Sequence, residues 1–310
     1  MEAYSIVTTV YNNEAEITGF LDNICSQSYM PEEIVIVDGG SSDRTIEYVN
    51  RYSMGSPMKI RMLSGKRLNI SEGLNIAIQN AGCEVVGITT PGNLFPSDFF
   101  EKLIKSMMDE SLDVAYSAIE GGNNTLFSEK YTNTLLKNAR KSKIASNHGS
   151  LVRKSVFYEI GFFYENFIYA GEDTEFFTLV RERKYKTACI NDTKLWWEVP
   201  SNWKEYRKQI KNYAIADLQI LDNKVIFNRI LKRIMAVTAP VIVLIAGLSI
   251  NRKLGIIIVL FYAVYILITC INYRKKKKDM LIALAKKMLP AYYYLKNIKY
   301  AKPEYKVRRM

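Results

Sequence analysis

The chain has 310 residues, 48% of them hydrophobic and 24% charged, room for one large α/β domain and something smaller. Its net charge of +12 would suit nucleic acid, but residues 1–199 carry 20 Lys and Arg against 26 Asp and Glu, while residues 274–310 carry 13 against 2. That distribution argues against nucleic acid and for an anionic membrane surface, where each cation contributes ~1 kcal/mol. Cys25, Cys83, Cys189 and Cys270 show neither metal spacing nor a disulfide framework, so a reducing compartment is expected, with no signal peptide.

Taken in order, Ser5 to Val10 is a short β-rich run, followed by the polar turn Tyr11-Asn12-Asn13-Glu14 and a helix with Ile17, Phe20, Leu21 and Ile24 on one face. Ile34-Val35-Ile36-Val37 is too short for a buried helix and suits a strand covered on both faces. Asp38 ends it, Gly39-Gly40 permit a tight turn, and Ser41, Ser42 and Asp43 offer N-caps to a helix through Ile46, Val49 and Tyr52. In open α/β sheets ligands bind at such strand ends. Lys59 to Leu63 predicts a third strand, then a basic loop with Lys66 and Arg67 enters a helix with Ile70, Leu74, Ala77 and Ile78 at helical spacing.

These residues carry a resemblance. Val7 to Glu14, Gln27-Ser28-Tyr29 and Pro31 to Thr45 resemble the family 2 glycosyltransferases. The resemblance covers about the first two-thirds of the chain and implies an α/β GT-A fold, Rossmann-like with a mixed sheet flanked by helices. It also implies a nucleotide-diphosphate-sugar donor, a UDP-sugar being favoured, and inversion at the anomeric carbon. Its donor-binding motifs fall on Thr9, Tyr11, Asn12, Glu14, Asp38, Gly39, Ser41 and Asp43. Thr9 and Tyr11 would meet the base, and Asp38 the base or ribose. Arg67, with Lys66 as substitute, would lie near the diphosphate, which a guanidinium grips bidentately.

The next strand, Glu84 to Thr89, should end in the family's Asp-x-Asp, whose carboxylates hold a divalent metal, Mg²⁺ or Mn²⁺. Thr90, Pro91 and Gly92 stand there instead, with Asn93 nearby, offering only neutral oxygen to a hard cation. Three accounts stay open: a metal site completed mostly by the nucleotide, neutralisation by Arg67 and Lys66, or lost catalysis.

A helix over 97–110, a strand over 113–119 and a hairpin or loop over 120–128 lead to Asn147-His148-Gly149-Ser150, again resembling the family in the segment before its acceptor-site helix. His148 would touch donor or acceptor, or else bond nearby backbone as a loop residue. Gly171-Glu172-Asp173 opens an acidic helix start with Phe176, Phe177, Leu179 and Val180 toward the core. By the resemblance this Glu-Asp pair is catalytic, Asp173 the general base and Glu172 its companion. Trp196 to Pro200 predicts a last strand. The helix from Trp203 to Leu221, with Arg207, resembles a basic helix that membrane-attached members place before the membrane, although a solvated face would look the same.

Two ion-free apolar runs, 234–250 and 255–273, would span about 25 and 28 Å as helices, near the ~30 Å hydrocarbon core. Their basic flanks should be cytoplasmic. The expected organisation is a catalytic domain over 1–228, two transmembrane helices within 229–273, and a basic amphipathic interfacial segment over 274–310. The expected localisation is the bacterial inner membrane, with the catalytic domain in the cytoplasm. The reading is an inverting transferase acting on a lipid-linked saccharide in surface polysaccharide or glycolipid synthesis, with anionic lipids as further partners and the oligomeric state open. The alternatives are a nucleotide-sugar-binding pseudoenzyme that serves assembly and a polyprenyl-phosphate sugar synthase.

Overall fold

The apolar runs pair into one eight-stranded sheet in the computed structural model, which describes residues 1–121, 125–136, 145–221, 223–250, 253, 256–260, 264, 268, 271–272 and 279–301. Strands β1 (Tyr4–Val10), β2 (Glu33–Asp38), β3 (Lys59–Ser64) and β4 (Val85–Ile88) are parallel in the order β3-β2-β1-β4. β2 and β4 are buried throughout and β1 nearly so, which is why these runs are continuous rather than alternating; β3, at the edge, is only partly covered. Helices α1 (Ile17–Cys25), α2 (Thr45–Ser53) and α3 (Ile70–Asn80) follow the first three strands, with α3 packed on β1 and β2.

The second half of the sheet is mixed. β5 (Asn93–Leu94), β6 (Val114–Gly121), β7 (Ser150–Arg153) and β8 (Thr187–Trp197) extend it in the order β4-β7-β6-β8-β5, with β7 antiparallel to β4 and β6, and β8 parallel to β6. Helix α4 (Phe99–Asp109) packs its five buried residues against β6 and β8.

Two elements differ from expectation. Of the hairpin or loop expected over 120–128, residues 120 and 121 end β6 and residues 126–128 open helix α5 (Leu126–Tyr131), started by a capping box in which Thr125 Oγ1 accepts from the Ser128 N–H at 3.1 Å, while 122–124 lie outside the described residues. The strand expected at Trp196–Pro200 is only the end of β8, which begins nine residues earlier at Thr187. Polar Asn191, Asp192 and Lys194 and an irregular register between Ser117 and Ala118 break the alternation that would have marked it.

The chain forms two compact units, Met1–Gly122 with Asn138–Glu198, and Asn123–Lys137 with Val199–Met310. The first holds the sheet, α6 (Lys154–Ile160) and α7 (Glu172–Glu182). The second holds α5, α8 (Trp203–Gln219), α9 (Lys224–Ile250) and α10 (Met280–Lys296), with α10 against α8 and α9. There, buried Asp217 pairs with Arg229 and Arg233 and accepts from the Tyr294 hydroxyl at 2.6 Å.

α9 is the one described helix long and apolar enough to cross a membrane, with a mean hydropathy of 2.1 in its most apolar window. It starts ten residues before the apolar run at 234, so the basic flank with Arg229, Lys232 and Arg233 is helical too. Most of the second expected span, 255–273, lies outside the described residues, as do the lysine run 274–278 and residues 302–310. α10 buries Ile282, Ala283, Pro290, Ala291 and Tyr294 and exposes Leu281, Leu284, Met288, Tyr292 and Leu295 at helical spacing.

Candidate active site

The site grows from the carboxyl ends of β1 and β2, which the parallel register sets side by side, Val10 opposite Asp38. The two loops that follow are clasped by reciprocal bonds. The Asn12 N–H donates to Ser41 Oγ at 2.9 Å, and Asn12 Oδ1 accepts from the Ser42 N–H at 2.9 Å. The Glu14 N–H donates to Asp43 Oδ2 at 3.1 Å, and Glu14 Oε2 accepts from the Arg44 N–H at 3.0 Å. Asn12, Glu14, Ser41 and Asp43, expected among the donor-binding residues, thus use these side-chain atoms to hold loop to loop.

Asp38 is almost fully buried and shapes its own turn, accepting from the N–H groups of Gly40 at 2.9 Å and Ser41 at 3.1 Å. Gly40 sits at φ +99°, and a Cβ there would come within 3.2 Å of the Arg67 backbone nitrogen, so a side chain would be both strained and crowded. This close approach sets the loop of Lys66 and Arg67 beside the Asp38 turn. Both cations are exposed, Arg67 at φ +55°.

An open cleft of about 220 Å³ lies between these parts. Thr9, Tyr11 and Gly39 line it from the strand ends, Leu68, Asn69, Ile70 and Gly73 from the entry to α3, and Thr90 and Pro91 from the far side. α3 reaches β1 this closely because residue 73 is glycine: a Cβ would stand 2.4 Å from Thr9 Cγ2.

Two asparagines that sequence reading missed tie this wall to the acidic end of the site. Asn69 caps α3, and its Nδ2 donates to the Glu165 carbonyl at 2.8 Å. Asn75, buried within α3, exchanges bonds with the Phe163 backbone at 2.9 Å each way and donates to Glu165 Oε1 at 2.8 Å. Their one signal was a polar residue on the face of α3 that also carries Leu74 and Ile78.

The segment so fixed leads to Gly171, at φ +118°, and to α7. Glu172, the first residue of α7, is buried; burial, then the charge of Asp173, pushes its carboxyl up to about 7. Asn147 Nδ2 donates to Glu172 Oε1 at 3.2 Å. Asp173 is half-buried and its Oδ1 accepts from the Thr174 N–H at 2.5 Å. His148 packs on Trp197 with ring centroids 4.8 Å apart and planes tilted by 40°, and among the described residues its buried Nδ1 has no partner. Burial pulls its pKa down against the opposing charge of Asp173, so the imidazole is neutral at pH 7 beside a carboxylate.

Asn93 links this end to the cleft. Its Nδ2 donates to Thr89 Oγ1 and Thr90 Oγ1 at 3.2 Å and to the His148 carbonyl at 3.3 Å. The fold therefore brings together Thr9, Tyr11, Gly39, Thr90, Pro91, His148, Glu172 and Asp173, with Arg67 on the loop beside them. Arg207 belongs to the other compact unit.

A parallel β-α-β-α half with a cleft at its strand ends, joined to a mixed half that carries an acidic helix start, defines the GT-A class of fold. The chain belongs to "Glycosyl transferase family 2", which matches residues 5–163. Among curated proteins it is 26% identical over 111 residues to glycosyltransferase GlyA of Streptococcus pneumoniae serotype 4, covering 36% of this chain and 16% of that one. It is 23% identical over 147 residues to poly(ribitol-phosphate) beta-N-acetylglucosaminyltransferase TarS of Staphylococcus aureus, covering 45% and 26%. The matches thus span well under half the length of these relatives. The fold is similar to mannosyltransferase PcManGT of Pyrobaculum calidifontis in complex with GDP-Man and Mn²⁺, with a TM-score of 0.68 and 17% identity over 97% of this chain and 88% of that one. It is also similar to S. aureus TarS in complex with UDP-GlcNAc, with a TM-score of 0.51 and 17% identity over 70% and 66%.

Proposed function

We propose that the protein is an inverting glycosyltransferase that moves a sugar from a nucleoside-diphosphate donor to a hydroxyl of a lipid-linked saccharide, for surface polysaccharide or glycolipid synthesis at the cytoplasmic face of a bacterial membrane. One observation carries this reading: Thr90 on the cleft wall, Asn93, His148 and Asp173 form a continuous line from the donor cleft to the acidic helix start. The nucleotide complexes of PcManGT and TarS support a nucleotide-sugar in that cleft, a UDP-sugar by the TarS likeness. The apolar α9 and the exposed apolar stripe of α10 support attachment to the membrane.

In this mechanism Thr9 and Tyr11 hold the base and Asp38 keeps the turn that meets the ribose. The acceptor oxygen attacks the anomeric carbon while the bond from that carbon to the diphosphate oxygen breaks on the opposite side. The acceptor proton passes to the Asp173 carboxylate, and the charge on the departing diphosphate meets Arg67 and Lys66. Glu172, partly protonated near neutral pH because burial raises its carboxyl to about 7, can in its neutral form donate a hydrogen bond where a second carboxylate would repel.

Asp173→Asn keeps the size and removes the basicity. Transfer should fall at least ~10²-fold while donor affinity is nearly retained, as a displaced general base requires. Transfer at the wild-type rate would reduce Asp173 to the acid of a helix start. The neutral turn Thr90-Pro91-Gly92 favours a second reading, a nucleotide-sugar-binding partner without turnover. Donor hydrolysis or transfer by the purified protein, absent from the Asp173→Asn variant, excludes it.

A further inference from the structure

The turn after β4 lacks carboxylates in its own sequence, but strand pairing returns one to it. β5 runs antiparallel to β8 with Asn93 opposite Trp197, which brings the next residue of β8's chain, Glu198, beside Gly92. A Cβ built on Gly92 would lie 3.7 Å from Glu198 Oε2. A carboxylate of the neighbouring strand therefore stands in van der Waals reach of the turn at position 92. Glu198 is exposed, and its carboxylate has no hydrogen-bond or ion-pair partner among the described residues. Beside it, Asn93 is 1% exposed and its Oδ1 is buried without a partner among the described residues.

Thr90 and Pro91 of this same turn line the donor cleft. A bare carboxylate at this end of the cleft repels a diphosphate unless a cation stands between them. Among the described residues no three acidic, histidine or cysteine side chains converge, so no all-protein cage exists here. Small hard cations do not need one: Mg²⁺ is commonly held by one or two carboxylates, with substrate phosphates and water completing the shell. One carboxylate facing the turn fits that pattern.

We propose that Glu198 supplies, from the neighbouring strand, the carboxylate that the Thr90-Pro91-Gly92 turn lacks, and holds a divalent cation, Mg²⁺ or Mn²⁺, against the diphosphate of the donor. The assignment rests on the donor reading above, and the two fail differently. Binding of UDP, GDP and dTDP to the full chain in detergent is measured by calorimetry with Mn²⁺ and with EDTA, for the wild type and Glu198→Gln. Wild-type affinity should rise about tenfold or more with Mn²⁺, about 1.4 kcal/mol of binding free energy. Glu198→Gln should abolish that gain, leave metal-free affinity equal or higher, and melt at the wild-type temperature because the side chain is exposed. A Mn²⁺ gain that survives in Glu198→Gln, or equal affinities with and without Mn²⁺ in the wild type, overturns the cation site and leaves the donor reading standing. Absence of nucleotide binding by the wild type in both conditions overturns the donor reading and the cation site with it.

Discussion

Glu172 and Asp173 are neighbours in sequence, yet the fold buries the first and leaves the second half-exposed. The Glu172 carboxyl titrates near about 7 in the folded chain against an ordinary 4.5, so between those pH values the folded state binds a proton that the unfolded state has lost. Stability therefore falls as pH rises through this window, and the loss is complete above it. Glu172→Gln should remove the slope: the variant melts at a higher temperature than wild type at pH 8, and the difference shrinks toward pH 5. Thermal unfolding at both pH values checks this, and equal melting curves at pH 8 would show that burial of the carboxyl carries no such penalty. At the same scale, Gly92 is legible in the sequence only as a missing acid, whereas its neighbour Glu198 is invisible there because 106 residues separate them.

At the scale of elements, α3 does more than cross from β3 to β4. Its entry lines the cleft, Gly73 lets it press on Thr9, and Asn69 and Asn75 hold the segment that leads into α7. Asn75→Ala leaves the buried Phe163 N–H and carbonyl without partners. Stability should drop by ~1–3 kcal/mol, the range for buried groups left unsatisfied, as read by urea unfolding. Turnover should fall beyond what donor affinity explains, because the segment carrying Glu172 and Asp173 is released at its other end. Unchanged stability would mean that the Phe163 groups find other partners in the variant.

For the whole molecule, the sheet unit is acidic and the C-terminal part is basic and apolar. Along α9, exposed Val241, Ile242, Val243, Ile245, Leu248 and Ile250 spread an apolar surface over most of the helix circumference rather than a single stripe, as a membrane-crossing helix would. The full chain should stay with the membrane pellet through alkaline carbonate extraction, which strips peripheral proteins. Its release into the supernatant would place α9 on the membrane surface instead of across it.

The sequence by itself determined the β-α-β-α opening, the strand that ends at Asp38, the acidic start of α7 and the long apolar run of α9. Each is a local pattern of period, capping or composition, readable within a dozen or so residues. Only the tertiary structure decided that Asn12 and Glu14 clasp Ser42 and Arg44, that Asn75 holds Phe163, and that Glu198 faces Gly92. It also decided that His148 rests on Trp197 near Asp173. These pairs lie 25 to 106 residues apart, and their contact depends on sheet order and register, in particular the mixed half β4-β7-β6-β8-β5, which no local pattern encodes.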